Sequence, residues 1–178
     1  MHPEELDGLV ARSVEYGASN ARVIEIKDLV IDERTRLKCQ FGCPNYRKNL
    51  MCPPYVPGPE EFSKIVSRYS WAILFEFEVP NEAVSEVKGI QKKLQTFIER
   101  MELEAMKLGY SFALGLKAGG CTICDRCIAW LGEGNLPCRH PERARPAMEA
   151  LGIDVIGTLK KIGYEEIPKR LFALLLVD

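Results

Sequence analysis

The seven cysteines of this chain fall into two groups, Cys39, Cys43 and Cys52, then Cys121, Cys124, Cys127 and Cys138, with none elsewhere. An odd number cannot be used up in internal disulfides, and thiols clustered this tightly point to metal ligation rather than to a disulfide framework. Whatever the chain folds into must present two thiol-rich loops, at about 39–59 and 118–141, on a scaffold that keeps each group together.

In the second group, Cys121-x2-Cys124-x2-Cys127 is the spacing with which ferredoxin-type loops hold a cuboidal [4Fe–4S] cluster. Each cysteine of such a site binds a different iron, so the sulfurs must surround a bulky object. A zinc ion needs four donors packed about 2.3 Å from one atom, and zinc knuckles take two cysteines per tight turn rather than three in succession. Gly119 and Gly120 precede the run and are expected to let the backbone approach and aim its N–H groups at the sulfurs. Cys138 is the natural fourth thiolate. It departs from the ferredoxin pattern, because Arg139 and His140 stand between it and Pro141. Zinc, or reduced thiols with a structural role, are the competing readings of the same four residues.

The first group, Cys39-x3-Cys43-x8-Cys52, offers three thiolates. On a cubane they would leave one iron open to water, a substrate oxygen, a nitrogen or a carboxylate. That would make an enzyme acting on a small substrate through an open-coordination iron. The rival readings are structural zinc completed by a distant His or acid, and thiols that merely pack. Pro53 and Pro54 stiffen the loop through their fixed φ. Arg47, Lys48 and Arg139 are placed to offset the negative charge of iron–thiolate centres or to recruit an anion, or are simply solvated. Tyr46, Tyr55 and Trp130 either shield a cluster or pack in the core. His140 is a candidate ligand, proton shuttle or sulfide hydrogen-bond donor, and equally an ordinary surface residue. His2 belongs to the N-terminus. Asp125 and Arg126 are expected to face solvent.

The scaffold reads as one α/β domain, residues 1–178. A chain of this length buries roughly 70% of the surface its unfolded form exposes, so it needs no metal simply to own a core. Hydrophobic residues make up 47% and charged residues 28%, the profile of a globular protein. A helix is predicted from Pro3 to Tyr16, a strand from Arg22 to Ile26, and a second strand or continuation at Leu29 to Ile31. Cys39 to Pro59 reads as an irregular loop. A short helix follows from Glu60 to Arg68, then a strand from Trp71 to Val79 whose first half is continuously apolar and whose Glu76 and Glu78 suggest emergence into water.

Asn81 is a good N-cap for a long helix to Leu108, closed by Gly109. Its apolar face comprises Val84, Val87, Ile90, Leu94, Phe97, Ile98, Met101 and Leu108. Phe112, Leu114 and Leu116 mark a further strand, Pro146 to Leu151 a short helix, Asp154 to Gly163 another, and Phe172 to Val177 a last strand or a helix turn. This order predicts an α/β sandwich with a largely parallel sheet flanked by helices. In such sheets ligands gather beyond the carboxyl ends of the strands. Both cysteine loops follow strands, so parallel strands would bring both loops to one sheet edge.

The formal charge is −1, from 24 basic and 25 acidic residues. No basic stripe marks a nucleic-acid partner. The N-terminus lacks the features of a signal peptide, no run approaches the ~18 apolar residues of a membrane span, and reduced thiols suit a cytoplasmic location. The expected partners are a redox protein or a small-molecule substrate, with the oligomeric state left open. No phosphate-binding Gly-rich loop, Ser-His-Asp arrangement or CxxxCxxC loop occurs.

The segments Arg36-Leu37-Lys38-Cys39, Leu50-Met51-Cys52-Pro53-Pro54-Tyr55, Gly119-Gly120-Cys121 through Cys127, Pro137 to Pro141 and Pro146 to Asp154 together resemble a family of unknown function. It carries the description "predicted metal-binding protein" and occurs mainly in anaerobes. The resemblance runs from about Ala21 to Gly163. It implies metal ligation by both cysteine groups and names no reaction, so the metal rests on spacing: a [4Fe–4S] cluster at the second group, a second cluster at the first, with zinc as the alternative.

Overall fold

The computed structural model describes residues 6–80, 84–167 and 169–178. The expected helix start at Pro3, the N-terminal His2 and the Asn81 cap lie outside the described residues. The sheet has four strands, β1 (Asn20–Glu25), β2 (Trp71–Glu78), β3 (Leu114–Lys117) and β4 (Arg170–Val177), in the spatial order β1-β2-β4-β3. Every neighbouring pair is antiparallel. The expected largely parallel sheet is therefore wrong, although the chain is α/β overall.

The physical reason lies in what an apolar run reports. Continuous apolar strands such as Ala72–Phe75 and Phe172–Val177 show burial on both faces, and burial on both faces says nothing of strand direction. β2 and β3 do run the same way, each antiparallel to β4, and the long helix α4 (Val84–Lys107) connects them. The last strand of the chain enters between them, so the result is a split β-α-β unit rather than a parallel pair.

Helices cover both faces. On one, α1 (Asp7–Glu15) and α4 bury Leu9, Leu94, Phe97, Ile98, Met101 and Ala105 against Ile73, Phe75, Phe77, Ala173, Leu175 and Val177. Phe97 meets Phe75 and Phe77 edge to face, at centroid distances of 4.9 and 4.8 Å. On the other face, α3 (Pro59–Val66) and α5 (Val155–Lys161) bury Phe62, Val66 and Leu159 against Ala72, Leu74, Leu116, Phe172, Leu174 and Leu176. Asp154 caps α5, its side chain accepting from the Gly157 N–H at 2.9 Å. α4 is 24 residues long, about 36 Å at ~1.5 Å per residue. It ends where Gly109 turns with φ +97°. Leu108, expected on its apolar face, is exposed instead.

Three further expectations change. Leu29 to Ile31 forms no strand but a single bridge, Ile31 to Ile153. Glu76 does not emerge into water: it is 1% exposed and accepts from Asn20 Nδ2 at 2.7 Å, from the Tyr164 hydroxyl and from Arg170. Finally, the loop expected from Cys39 begins as a helix, α2 (Arg34–Gly42). Among the described residues no helix is long and apolar enough to cross a membrane.

Candidate metal centre

The cysteines of the first group are gathered by α2. Cys39 lies in its last turn, and Cys43 is its C-cap, donating its N–H to the Cys39 carbonyl at 3.3 Å. A spacing of four residues on a helix brings side chains to the same face, so the x3 gap between these cysteines is helical geometry. Arg36 staples α2 in place: Nη1 donates to the Ala150 carbonyl at 2.7 Å, and Nη2 reaches the carbonyls of Val56 and Pro57 at 3.4 Å. The chain returns through turns to Cys52, which is 6% exposed. Cys39, Cys43 and Cys52 line one cavity of about 490 Å³, whose walls also include Lys38, Tyr46, Gly119, Gly120 and Glu149.

The second group follows β3 directly. Gly119 adopts φ +72°, a left-handed conformation that other residues take only under strain, so glycine suits this turn. Cys121, Cys124, Cys127 and Cys138 line a smaller cavity of about 110 Å³, together with Asn49, Leu50, Trp130 and His140. Its sulfurs receive backbone N–H groups. Ile123 donates to Cys121, Leu50 to Cys127 Sγ at 3.4 Å, and His140 to Cys138 Sγ at 3.4 Å. The N–H donors are thus not Gly119 and Gly120, as the sequence suggested. Those glycines instead offer their carbonyls to Lys117 Nζ, at 3.2 and 2.7 Å.

The two groups adjoin, although not for the reason expected. β1 and β3 run in opposite directions, so their carboxyl ends point to opposite ends of the sheet. The first loop nevertheless crosses to the second. Asn49, 7% exposed, donates from Nδ2 to the Cys121 carbonyl at 3.1 Å and accepts the Met51 N–H at 2.9 Å. Asn45 lines both cavities. All seven cysteines are free thiols. Among the described residues no three His, Cys, Asp or Glu side chains converge closely enough for a single metal ion.

Residues 22–171 match a family model described as "predicted metal-binding protein" (DUF2284). The chain belongs to this family. No curated protein and no solved structure gives a match. The family's description names no metal and no residues, and the donor chemistry here fits a thiophilic one. Sulfur donors suit zinc, copper or iron–sulfur clusters and disfavour magnesium or calcium.

The cysteine lobe also holds two charged residues that sequence reasoning missed. Lys117, at the end of β3, is fully buried beside both cysteine groups. Burial pushes its ammonium down to about 8, while Cys121, Cys52 and Glu149 act in the opposite direction. Glu149 is exposed at the mouth of the larger cavity; desolvation raises its carboxyl, and its own backbone N–H and the Lys117 charge oppose this. The signal for Lys117 was present as a cation closing the apolar strand Leu114–Lys117 four residues before Cys121. Glu149 gave no such signal, being one acid among many on a short turn.

The thiols feel the same burial. It pushes Cys52 up to about 12, helped by neighbouring Cys43 and Cys39. Burial likewise raises Cys121, against the Ile123 N–H and Lys117, and raises Cys39, helped by Cys43 and Glu149. Metal-free, these three thiols hold their protons at neutral pH, so metal uptake must release them.

The remaining side chains sort by position. Tyr46 lines the larger cavity and Trp130 the smaller, with Lys48 Nζ 4.8 Å above the Trp130 ring. Tyr55 lies against Gly134. Arg139 donates to the Arg126 carbonyl at 2.6 Å, pinning the Cys138 segment to the Cys124–Cys127 turn. Arg47, Asp125 and Arg126 are exposed.

Proposed function

We propose that this chain is a cytoplasmic iron–sulfur protein in which Cys121, Cys124, Cys127 and Cys138 hold a [4Fe–4S] cluster serving electron transfer to a redox protein partner. The observation that carries this reading is the ring of backbone N–H donors on the sulfurs of Cys121, Cys127 and Cys138. Such donors stabilise thiolates, and they set the potential of a cluster. The cavity they surround, about 110 Å³, is well above the ~10–15 Å³ of such space that one water needs, room enough for a polyatomic group.

When bound, a cluster supplies reversible one-electron chemistry. The chain's own residues do the rest. Leu50, Ile123 and His140 orient and stabilise the thiolates. Lys117 adds a buried positive charge that favours the more reduced, more negative state. Trp130 and Lys48 cover one side of the cavity, and shielding of this kind tunes potential. Asn49 fixes the first loop to the second, so the Leu50 N–H stays aimed at Cys127.

Oxygen-free purification followed by an iron, zinc and acid-labile sulfide count tests the proposal. Iron and sulfide in equal amounts, reduced in Cys124→Ala, are expected. Zinc with no sulfide would instead make the chain a zinc-binding structural or interaction module and end the iron–sulfur reading.

A further inference from the structure

The larger cavity differs from the smaller in its donors. Cys39 and Cys43 come from one face at the end of α2, and Cys52 comes from the returning loop. Three thiolates leave a four-iron cluster one protein ligand short. Two carboxylates, Glu149 and Asp154, line the same cavity. Asp154 is committed, because its carboxylate caps α5 through the Gly157 N–H. Glu149 is not: among the described residues its carboxylate accepts only from its own backbone N–H, and its charge acts on Cys39 and Lys117.

The turn that carries Glu149 is held on two sides. Arg36 of α2 donates to the Ala150 carbonyl at 2.7 Å. The Lys117 N–H donates to the Pro146 carbonyl at 3.2 Å, and the Met148 N–H to the Lys117 carbonyl at 3.1 Å. Glu149 is thereby fixed relative both to the helix that carries Cys39 and to the strand that leads to Cys121. An acid held in a thiol-lined cavity with no structural duty of its own is a hard oxygen donor waiting for a cation.

We infer that this cavity is a second metal centre, separate from the four-cysteine one, in which Cys39, Cys43 and Cys52 hold a [4Fe–4S] cluster and the Glu149 carboxylate is the fourth protein ligand. A cavity of about 490 Å³ exceeds what one cluster fills and lies within the range of small-molecule sites. A carboxylate binds iron in such a cluster less tightly than a thiolate does. The Glu149 position is therefore the one at which a small oxygen-bearing ligand displaces the protein.

The test uses the full chain, prepared without oxygen, in a Cys124→Ala background that removes the four-cysteine cluster. Iron, zinc and sulfide content, and the EPR and Mössbauer spectra of the remaining centre, are read before and after further substitution. The Cys124→Ala chain is expected to keep about half of the wild-type iron and sulfide. Adding Cys52→Ser removes that remainder. Adding Glu149→Gln, which preserves shape, changes the spectrum of one iron. Adding Glu149→Cys keeps the cluster and shifts its spectrum toward that of an all-thiolate site.

Circular dichroism confirms that each variant is folded. Zinc without sulfide in the Cys124→Ala chain, iron unaffected by Cys52→Ser, or a spectrum indifferent to both Glu149 substitutions would each overturn the inference. Iron and sulfide content unchanged by Cys124→Ala would overturn the four-cysteine reading instead, so the two failures are distinguishable.

Discussion

The sheet and the cysteine lobe are stabilised by different means. The sheet is covered on both faces by apolar helices, and residues such as Ile73, Phe75, Leu174 and Leu175 are wholly buried. The lobe has an apolar cluster of its own, but among the described residues its buried members are only Leu50, Ile128 and Ala129. Polar ties do most of the work there: Arg36 to three carbonyls, Asn49 to Cys121, Lys117 to two glycine carbonyls, Arg139 to Arg126. A sheet of this kind has enough apolar burial to fold on its own. The lobe gains its order from polar contacts and, on the proposed reading, from the metal its thiols would grip, because metal binding to a thiol site is itself folding free energy.

Substitution in the sheet should have the largest effect on global stability. Phe75→Ala removes a fully buried ring from the aromatic contact with Phe97, and is expected to cost about 3–5 kcal/mol in urea unfolding. The loss should be the same for metal-loaded and chelator-stripped protein. A loss that disappears on stripping would mean that the sheet depends on the lobe.

Next comes the join between the two regions. Glu102 on α4 accepts from Arg145 Nε and Nη2 at 2.5 Å and from the Gly115 N–H at 2.5 Å, tying the end of the second cysteine loop to β3 and its helix. Its carboxylate is nearly buried. Glu102→Ala should cost about 3 kcal/mol and also loosen metal retention, measured as iron loss during dialysis. Unchanged retention would show that the join does not transmit to the site.

Asn49→Ala belongs to the lobe alone. Global unfolding should shift by about 1–2 kcal/mol or less, yet iron should be lost faster, because the Leu50 N–H no longer has a fixed aim at Cys127. Equal rates of loss from wild type and variant would remove Asn49 from the account.

The smallest effect is one of pH. Burial alone would raise the Glu76 carboxyl, but hydrogen bonds from Tyr164, Arg170 and Asn20 and the Arg170 charge outweigh it and hold it below the ordinary carboxylate value. A depressed folded pKa contributes stability that is complete above the unfolded value, about 4.3, and is lost as pH falls through the lower folded value. Glu76→Gln should therefore flatten part of the acid limb of the stability curve while changing metal content not at all. An acid limb as steep as that of wild type would refute this role.

What the sequence disclosed follows the same division. Helix ends were readable where local chemistry decides them, as at Asp154 before α5 and Gly109 after α4. Strand positions were readable from apolar runs, but strand direction was not, because a twice-covered antiparallel sheet carries the same apolar pattern as a parallel one. α2 was hidden for a related reason. Its helix buries no side chain, so Arg34–Gly42 carries no apolar stripe to betray it. The cysteine groups were visible as spacing, and Cys39-x3-Cys43 was a helical interval not recognised as one. Lys117 was legible only as a cation ending an apolar strand, whereas Glu149 and Asn49 were beyond reach, because their roles arise from contacts with residues distant in the chain that only the fold brings together.

Hydrogen exchange, followed by mass spectrometry on oxygen-free protein before and after chelation, tests the central claim most directly. Stripping the metal should release protection across residues 39–58 and 118–145, while Trp71–Glu78 and Arg170–Val177 keep theirs. Protection in the lobe that survives complete loss of metal would contradict the account, since the lobe would then be ordered by its own contacts and not by what its thiols hold.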